Sequence, residues 1–130
     1  MIFPFYKKTN SITTRPWGKF ETLNDFPMVN NGQNGNVVIK RITVNPQKRL
    51  SYQSHQKRTE HWYIIKGKAK ITINDSAQEG KVGQSFDILT NTKHRIENPD
   101  NNNDLIFIEV STGNFDENDI VRYEDDFGRA

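Results

Sequence analysis

Apolar residues recur along this chain in short alternating runs, punctuated by Asn, Gly and Pro. Val37 to Val44 is the plainest run, dense in β-branched residues and stopped by Asn45-Pro46, which predicts a strand with a sharp end. Trp17 to Phe26 alternates as a second strand, with Trp17 and Phe20 expected on opposite faces. Leu50 to His55 begins another, and Glu60 to Ile65 continues it after a short excursion. Ala69 to Asn74 alternates strictly, so Lys66-Gly67-Lys68 predicts a hairpin turn. Gln84 to Leu89, His94 to Asn98 and Leu105 to Val110 complete the predicted strands. Asn30 to Asn36 reads as a turn, and Asp116 to Asp119 as a single helical turn. Strands spaced roughly 8–12 residues apart with such turns predict an all-β barrel or sandwich. Residues 1–14 end in the polar stretch Ser11-Ile12-Thr13-Thr14 and are read as an N-terminal arm, either loose or added to a partner's sheet. The domain itself is expected over 15–130.

Composition changes this picture little. The length of 130 residues suits one domain with a real core. A hydrophobic fraction of 33% would suit disorder, yet eight Phe, four Tyr and two Trp sit inside the regular patterns. The polarity collects in turns, where many of the 15 Asn lie; Asn tolerates left-handed backbone and caps tight turns. A net charge of +2 gives no drive toward nucleic acid or membranes. The absence of cysteine excludes disulfides and thiolate metal sites. No run has the length of a membrane span, and the apolar start is too short for a signal segment, so a cytoplasmic protein is expected.

The candidate chemistry lies in Gln53-Ser54-His55-Gln56-Lys57-Arg58-Thr59-Glu60-His61-Trp62 and in the distant His94. Residues two apart on a strand share a face, so Gln53 and His55 point together, as do Glu60, Trp62 and Ile64. If the Gln53 face is the inner one, amide, imidazole and carboxylate donors converge. Such a donor set suits Zn, Mn, Fe, Co or Ni over copper or calcium. The same spacing is equally at home on an ordinary polar strand edge.

The spacing of Gln53-x-His55, Glu60 and Gly67, followed by Gly83, Leu89, Asn91, His94 and Asn98, resembles the two motifs of the cupin superfamily. Leu89 and Asn91 stand where that family has Pro and Gly, and Asn is the best substitute for Gly at positive φ. Arg15-Pro16-Trp17-Gly18, Lys40-Arg41-Ile42, Leu50-Ser51-x-Gln53-x-His55, Arg58-x-Glu60-His61-Trp62, Lys93 to Pro99 and Asp119 to Arg129 resemble, more narrowly, the type II mannose-6-phosphate isomerase cupin domain. That domain is usually fused to a mannose-1-phosphate guanylyltransferase, for which 130 residues leave no room. Its motif carries Gln at the first ligand place, as Gln53 does. Two departures stand out: Gln56-Lys57 replace further histidines, and Asn45-Pro46-Gln47 replaces Asn-Pro-Gly.

The resemblance implies a double-stranded β-helix, the jelly-roll or cupin barrel, over 15–130. It implies one divalent metal ion (Zn, Mn, Co, Ni or Fe) on Gln53, His55, Glu60 and His94. The implied reaction interconverts mannose 6-phosphate and fructose 6-phosphate by proton transfer through an enediol(ate). Arg58, Glu60 and His61 are the catalytic candidates, although alternation turns His61 away from Glu60. Arg58, expected over the barrel mouth, leads the candidates for holding the phosphate, followed by Lys40 and Arg122. Trp17 and Trp62 are expected in the core, and Glu124-Asp125-Asp126 as a solvated turn. The alternative is a non-catalytic cupin that binds sugar phosphates or sugar nucleotides alongside a separate transferase. An iron dioxygenase fits less well, since Gln53 replaces a histidine. A metal-free epimerase needs a His–Asp dyad, which no motif supplies. A homodimer is expected from exposed strand edges.

Overall fold

The structure, a computed structural model, describes residues 7–30, 33–114, 116 and 118–130. Two antiparallel sheets face each other, and among the described residues there is no helix. The first sheet contains β1 (Lys7–Arg15), β2 (Gly18–Asn30), β3 (Gln33–Val44), β10 (Leu105–Gly113), β5 (Arg58–Lys66) and β8 (Ser85–Ile88), in that order. The second runs β11 (Val121–Glu124), β4 (Tyr52–Ser54), β9 (His94–Glu97), β6 (Ala69–Ile73) and β7 (Ser76–Gly80). The all-β architecture expected from the pattern is therefore present. The residues read as an arm, as far as they are described, form β1, which pairs with β2 of the same chain. No helix among the described residues is long and apolar enough to cross a membrane.

The inner faces are sorted by depth. On β10, Leu105 and Phe107 are buried apolar residues and Glu109 and Ser111 are buried polar ones. The neighbouring strands change character at the same level. Leu105 pairs with Val44, and Phe107 with Ile42 and Ile64. Glu109 then pairs with Lys40 and Trp62, and Ser111 with Val38 and Glu60. The apolar half joins Trp17, Ile71, Ile88 and Ile96 in one core, with Phe20, Leu50, Phe86 and Phe127 packed against it. Removing an aromatic ring such as Phe107 from that core would cost about 3–5 kcal/mol. The polar half opens at one end of the sandwich, and that end is the site.

Several turns differ from the sequence reading. Lys66-Gly67-Lys68 is not a hairpin, because β5 and β6 lie in different sheets. β5 is already flanked by β10 and β8, so the chain crosses to the facing sheet. Gly67 makes that corner at φ 86, and a Cβ there would meet the Asp104 carbonyl oxygen at 2.6 Å. The hairpin falls at Asn74-Asp75, joining β6 to β7, with positive φ at both residues as a two-residue primed turn requires. Trp17 and Phe20 do not oppose each other: Trp17 sits in the turn before β2, and both pack on the core. The predicted turn over 30–36 is shorter, since Asn30 pairs with Gln33 and Gln33–Asn36 belong to β3; residues 31 and 32 lie outside the described residues. At 116–119 a single turn closes with the Asp119 amide donating to the Asp116 carbonyl at 3.0 Å.

Candidate metal centre

Four elements bring the donors together. Across the second sheet, Arg122 pairs with Gln53, Gln53 with His94, and His94 with Ile73. Glu60 comes from β5 of the facing sheet, and His55 from the loop just after β4. His55, Glu60 and His94 are all buried, and their ligating atoms lie within 4.8 Å of one another. His55 Nε2 is 3.3 Å from Glu60 Oε2, and His94 Nε2 is 3.7 Å from Glu60 Oε1. Gln53 lines the cavity beside His55 and Glu60.

Hydrogen bonds behind the donors set their protonation. His55 Nδ1 is 2.7 Å from the Asp119 carbonyl oxygen and His94 Nδ1 is 2.9 Å from that of Thr92. A carbonyl only accepts, so each Nδ1 carries the hydrogen and each Nε2 presents its lone pair inward. The Asp119 carboxylate also accepts the Gln56 and Lys57 amides at 2.9 Å each, which fixes the loop carrying His55. Asn91, at φ 59, takes the positive φ expected of it and donates its amide to the His55 carbonyl at 2.7 Å. The second motif thus pins the first.

Burial alone would raise the Glu60 carboxyl, but His94, Arg58 and His55 outweigh it and hold the group below the usual carboxylate range. Trp62 Nε1 adds a hydrogen bond to Glu60 Oε1 at 3.1 Å. Burial lowers His55 and so favours the neutral ring. The buried His94 Nε2 has no hydrogen-bond partner among the described residues. Two inward imidazoles, that of His55 kept neutral by burial, around an ionised carboxylate suit a divalent cation of the zinc and manganese kind.

The remaining cavity is cationic with one further acid. It encloses about 110 Å³ and is lined by Arg15, Lys40, Arg58, Arg122 and Arg129 as well as Glu60 and Glu109. Arg122 has its Nε buried without a hydrogen-bond partner among the described residues. Lys40 is buried, with Nζ 4.2 Å from the Phe20 ring centre. Arg129 is tied to Asp125 through bonds of 2.8 and 3.0 Å. Glu109 accepts the Ser111 hydroxyl at 2.7 Å, and burial, reinforced by the charge of Glu60, pushes its carboxyl up to about 7 despite Lys40.

Not every candidate reaches this cavity as expected. Arg58 does not hang over the mouth; it folds inward onto Glu60 and His55, at 3.1 and 3.2 Å. His61 faces the other side of the sheet and bonds Asp87 at 2.6 Å. That pair is the His–Asp dyad absent from the motifs, but it lies outside the cavity. Both Trp17 and Trp62 are buried in the core and also form cavity wall. Glu124, Asp125 and Asp126 are not a free solvated turn: they pair with Arg95, Arg129 and Arg49. Sequence reasoning missed Glu109 and Asp119. Glu109 had a signal, since Leu105-x-Phe107-x-Glu109 puts a carboxylate on an inward face. Asp119 acts on His55 through its backbone carbonyl, which leaves no mark in a sequence.

Comparison with known proteins agrees with this geometry. A sequence profile of the family described as "Mannose-6-phosphate isomerase C-terminal" matches residues 6–125. The mannose-1-phosphate guanylyltransferase ManC of Salmonella typhimurium is 39% identical over 117 residues, covering 89% of this chain and 22% of that protein. The chain spans under a quarter of the length of the curated relatives it matches. Among solved structures, the capsular polysaccharide assembling protein CapF of Staphylococcus aureus superposes with a TM-score of 0.71 at 20% identity, over 88% of this chain and 34% of CapF. An RmlC-like cupin of Shewanella frigidimarina does so with a TM-score of 0.64 at 15% identity, over 80% and 84%. These two likenesses carry the cupin fold alone.

Proposed function

We propose, because this chain belongs to the mannose-6-phosphate isomerase C-terminal family, that it is a metal-dependent sugar-phosphate isomerase converting mannose 6-phosphate to fructose 6-phosphate. The observation that carries the reading is a second buried acid, Glu109, lining the same cavity as His55 and Glu60 of the donor cluster that His94 completes. A divalent ion held by those three, with Gln53 beside them, would supply Lewis acidity toward the sugar's carbonyl and hydroxyl oxygens.

The chain's own residues account for the rest. Arg122 and Lys40 offer positive charge to the phosphate from the cavity wall, and Arg58 joins them when it turns outward. Glu109 takes the proton from C-2 of the open-chain aldose, where it can exchange with water, and delivers a proton to C-1, while the hydroxyl proton at O-2 ends on O-1. Its carboxyl, poised near 7, can exchange a proton in both directions at neutral pH. Ser111 fixes the orientation of that carboxyl. The core residues beneath, Trp62, Ile42 and Trp17, close the floor of the cavity against water.

A second reading has one observation in its favour. The relatives are named for guanylyltransferase activity, and this chain matches less than a quarter of them. It would then bind sugar phosphates beside a transferase without turning them over. Loading the protein separately with Zn²⁺, Mn²⁺, Co²⁺ or Ni²⁺ and following fructose 6-phosphate from mannose 6-phosphate decides between the two. The isomerase reading predicts turnover that chelator and Glu60→Gln both abolish. Sugar-phosphate binding without turnover under every metal would favour the binding module.

A further inference from the structure

Arg58 bonds two of the three donors that a metal would use. Its Nη2 lies 3.2 Å from His55 Nε2 and its Nε 3.1 Å from Glu60 Oε2. With the His55 hydrogen fixed on Nδ1 by the Asp119 carbonyl at 2.7 Å, Nε2 has a single lone pair. That lone pair can accept from the guanidinium or bind a cation, not both. We propose that Arg58 is a cation placeholder: it neutralises the donor cluster while the metal is absent, must swing out for the metal to enter, and then serves the anionic end of the substrate. This deepens the isomerase reading and rests on its metal site.

Two further features fit such an exchange. The guanidinium satisfies only part of the cluster, because among the described residues His94 Nε2 still lacks a hydrogen-bond partner. A metal that reaches all three donors therefore has an advantage the arginine cannot match. Secondly, the cavity holds only about 110 Å³ with Arg58 folded in. Ligand pockets ordinarily hold roughly 300 Å³ or more, so withdrawal of a wall residue would enlarge the room for a sugar phosphate. Arg58 is the first residue of β5 and pairs with Gly113, where the two backbones approach too closely for a Cβ. Turned outward, Arg58 would add its charge to the cavity that Lys40 and Arg122 also line. Metal binding and anion binding would then assist each other through one side chain.

The test titrates the metal-free protein with Mn²⁺ by calorimetry, with and without sulfate as a simple oxyanion. Arg58→Met should bind Mn²⁺ about ten- to a hundred-fold more tightly than the native chain, the scale of a lost charge-assisted hydrogen-bond pair. In the native chain sulfate should tighten Mn²⁺ binding, and in Arg58→Met that coupling should vanish. Arg58→Gln serves as a second variant, with circular dichroism confirming that each remains folded. Arg122→Met, which removes a charge from the same cavity, should change Mn²⁺ affinity far less. Equal or weaker Mn²⁺ binding by both Arg58 variants overturns the placeholder role and leaves the metal site standing. No Mn²⁺ binding by any form overturns the metal site itself, and the placeholder with it.

Discussion

At Glu109 a carboxyl sits between Lys40 and Trp62 on neighbouring strands, shut off from water. Burial, with Glu60 adding to it, moves the group from its ordinary 4.5 to about 7. Because the folded value lies above the unfolded one, the carboxyl's favourable contribution is fully present below about pH 4.5. It is lost as pH rises through about 7, and by then ionisation costs the fold on the order of 3 kcal/mol. Metal-free protein should accordingly lose thermal stability between pH 5 and 8, relative to Glu109→Gln, by roughly 10 °C. Parallel melting curves of the two forms would show no divergence with pH if the acid were solvated. His55 works in the opposite direction: burial lowers it, so its penalty appears as pH falls. Comparing two chains that both keep His55 separates the two residues. At this scale the inward convergence of His55, Glu60 and His94 was legible in the motif spacing. The inward fold of Arg58 was not, because a long side chain chooses its partner from burial and charge that spacing does not encode.

At the scale of elements, turns carry the discrepancies. Gln47 holds φ 60 where the resembling family has Gly, in the connection between β3 and β4. A side chain in that conformation costs roughly 1–2 kcal/mol, partly offset by the greater chain freedom glycine adds to the unfolded state. Gln47→Gly should therefore raise stability by roughly 0.5–1 kcal/mol in chemical denaturation, whereas Gln47→Ala should not. A loss of stability in Gln47→Gly would show that the exposed Gln47 contact to Asn101 outweighs the backbone term. The strands themselves were mostly legible where apolar residues alternate, as in β3, β5 and β10. β7 was invisible because Ser76-Ala77-Gln78-Glu79-Gly80 is an exposed edge strand with no apolar face. β11 was hidden similarly, with three of its four residues exposed. Gly67 illustrates the remaining ambiguity: positive φ serves a hairpin and a corner alike, and only the pairing of β5 with β10 and β8 decides.

For the whole molecule, the division of labour between the halves of the sandwich is the central feature. One half is a continuous apolar core from both sheets, rigid enough to hold donors that come from β4, β5 and β9. The other half is a small cavity in which cations outnumber carboxylates. The core alone would serve any cupin; on the proposed isomerase reading, the buried acid lining that cavity is the group a binding module would not need. The deciding measurement follows the metal-loaded protein converting mannose 6-phosphate in heavy water, with deuterium at carbon read by NMR. The account predicts carbon-bound deuterium in the product, and a Glu109→Gln variant slowed by about 10²–10⁴-fold. Fructose 6-phosphate formed without carbon-bound deuterium, at an undiminished rate in Glu109→Gln, would contradict it.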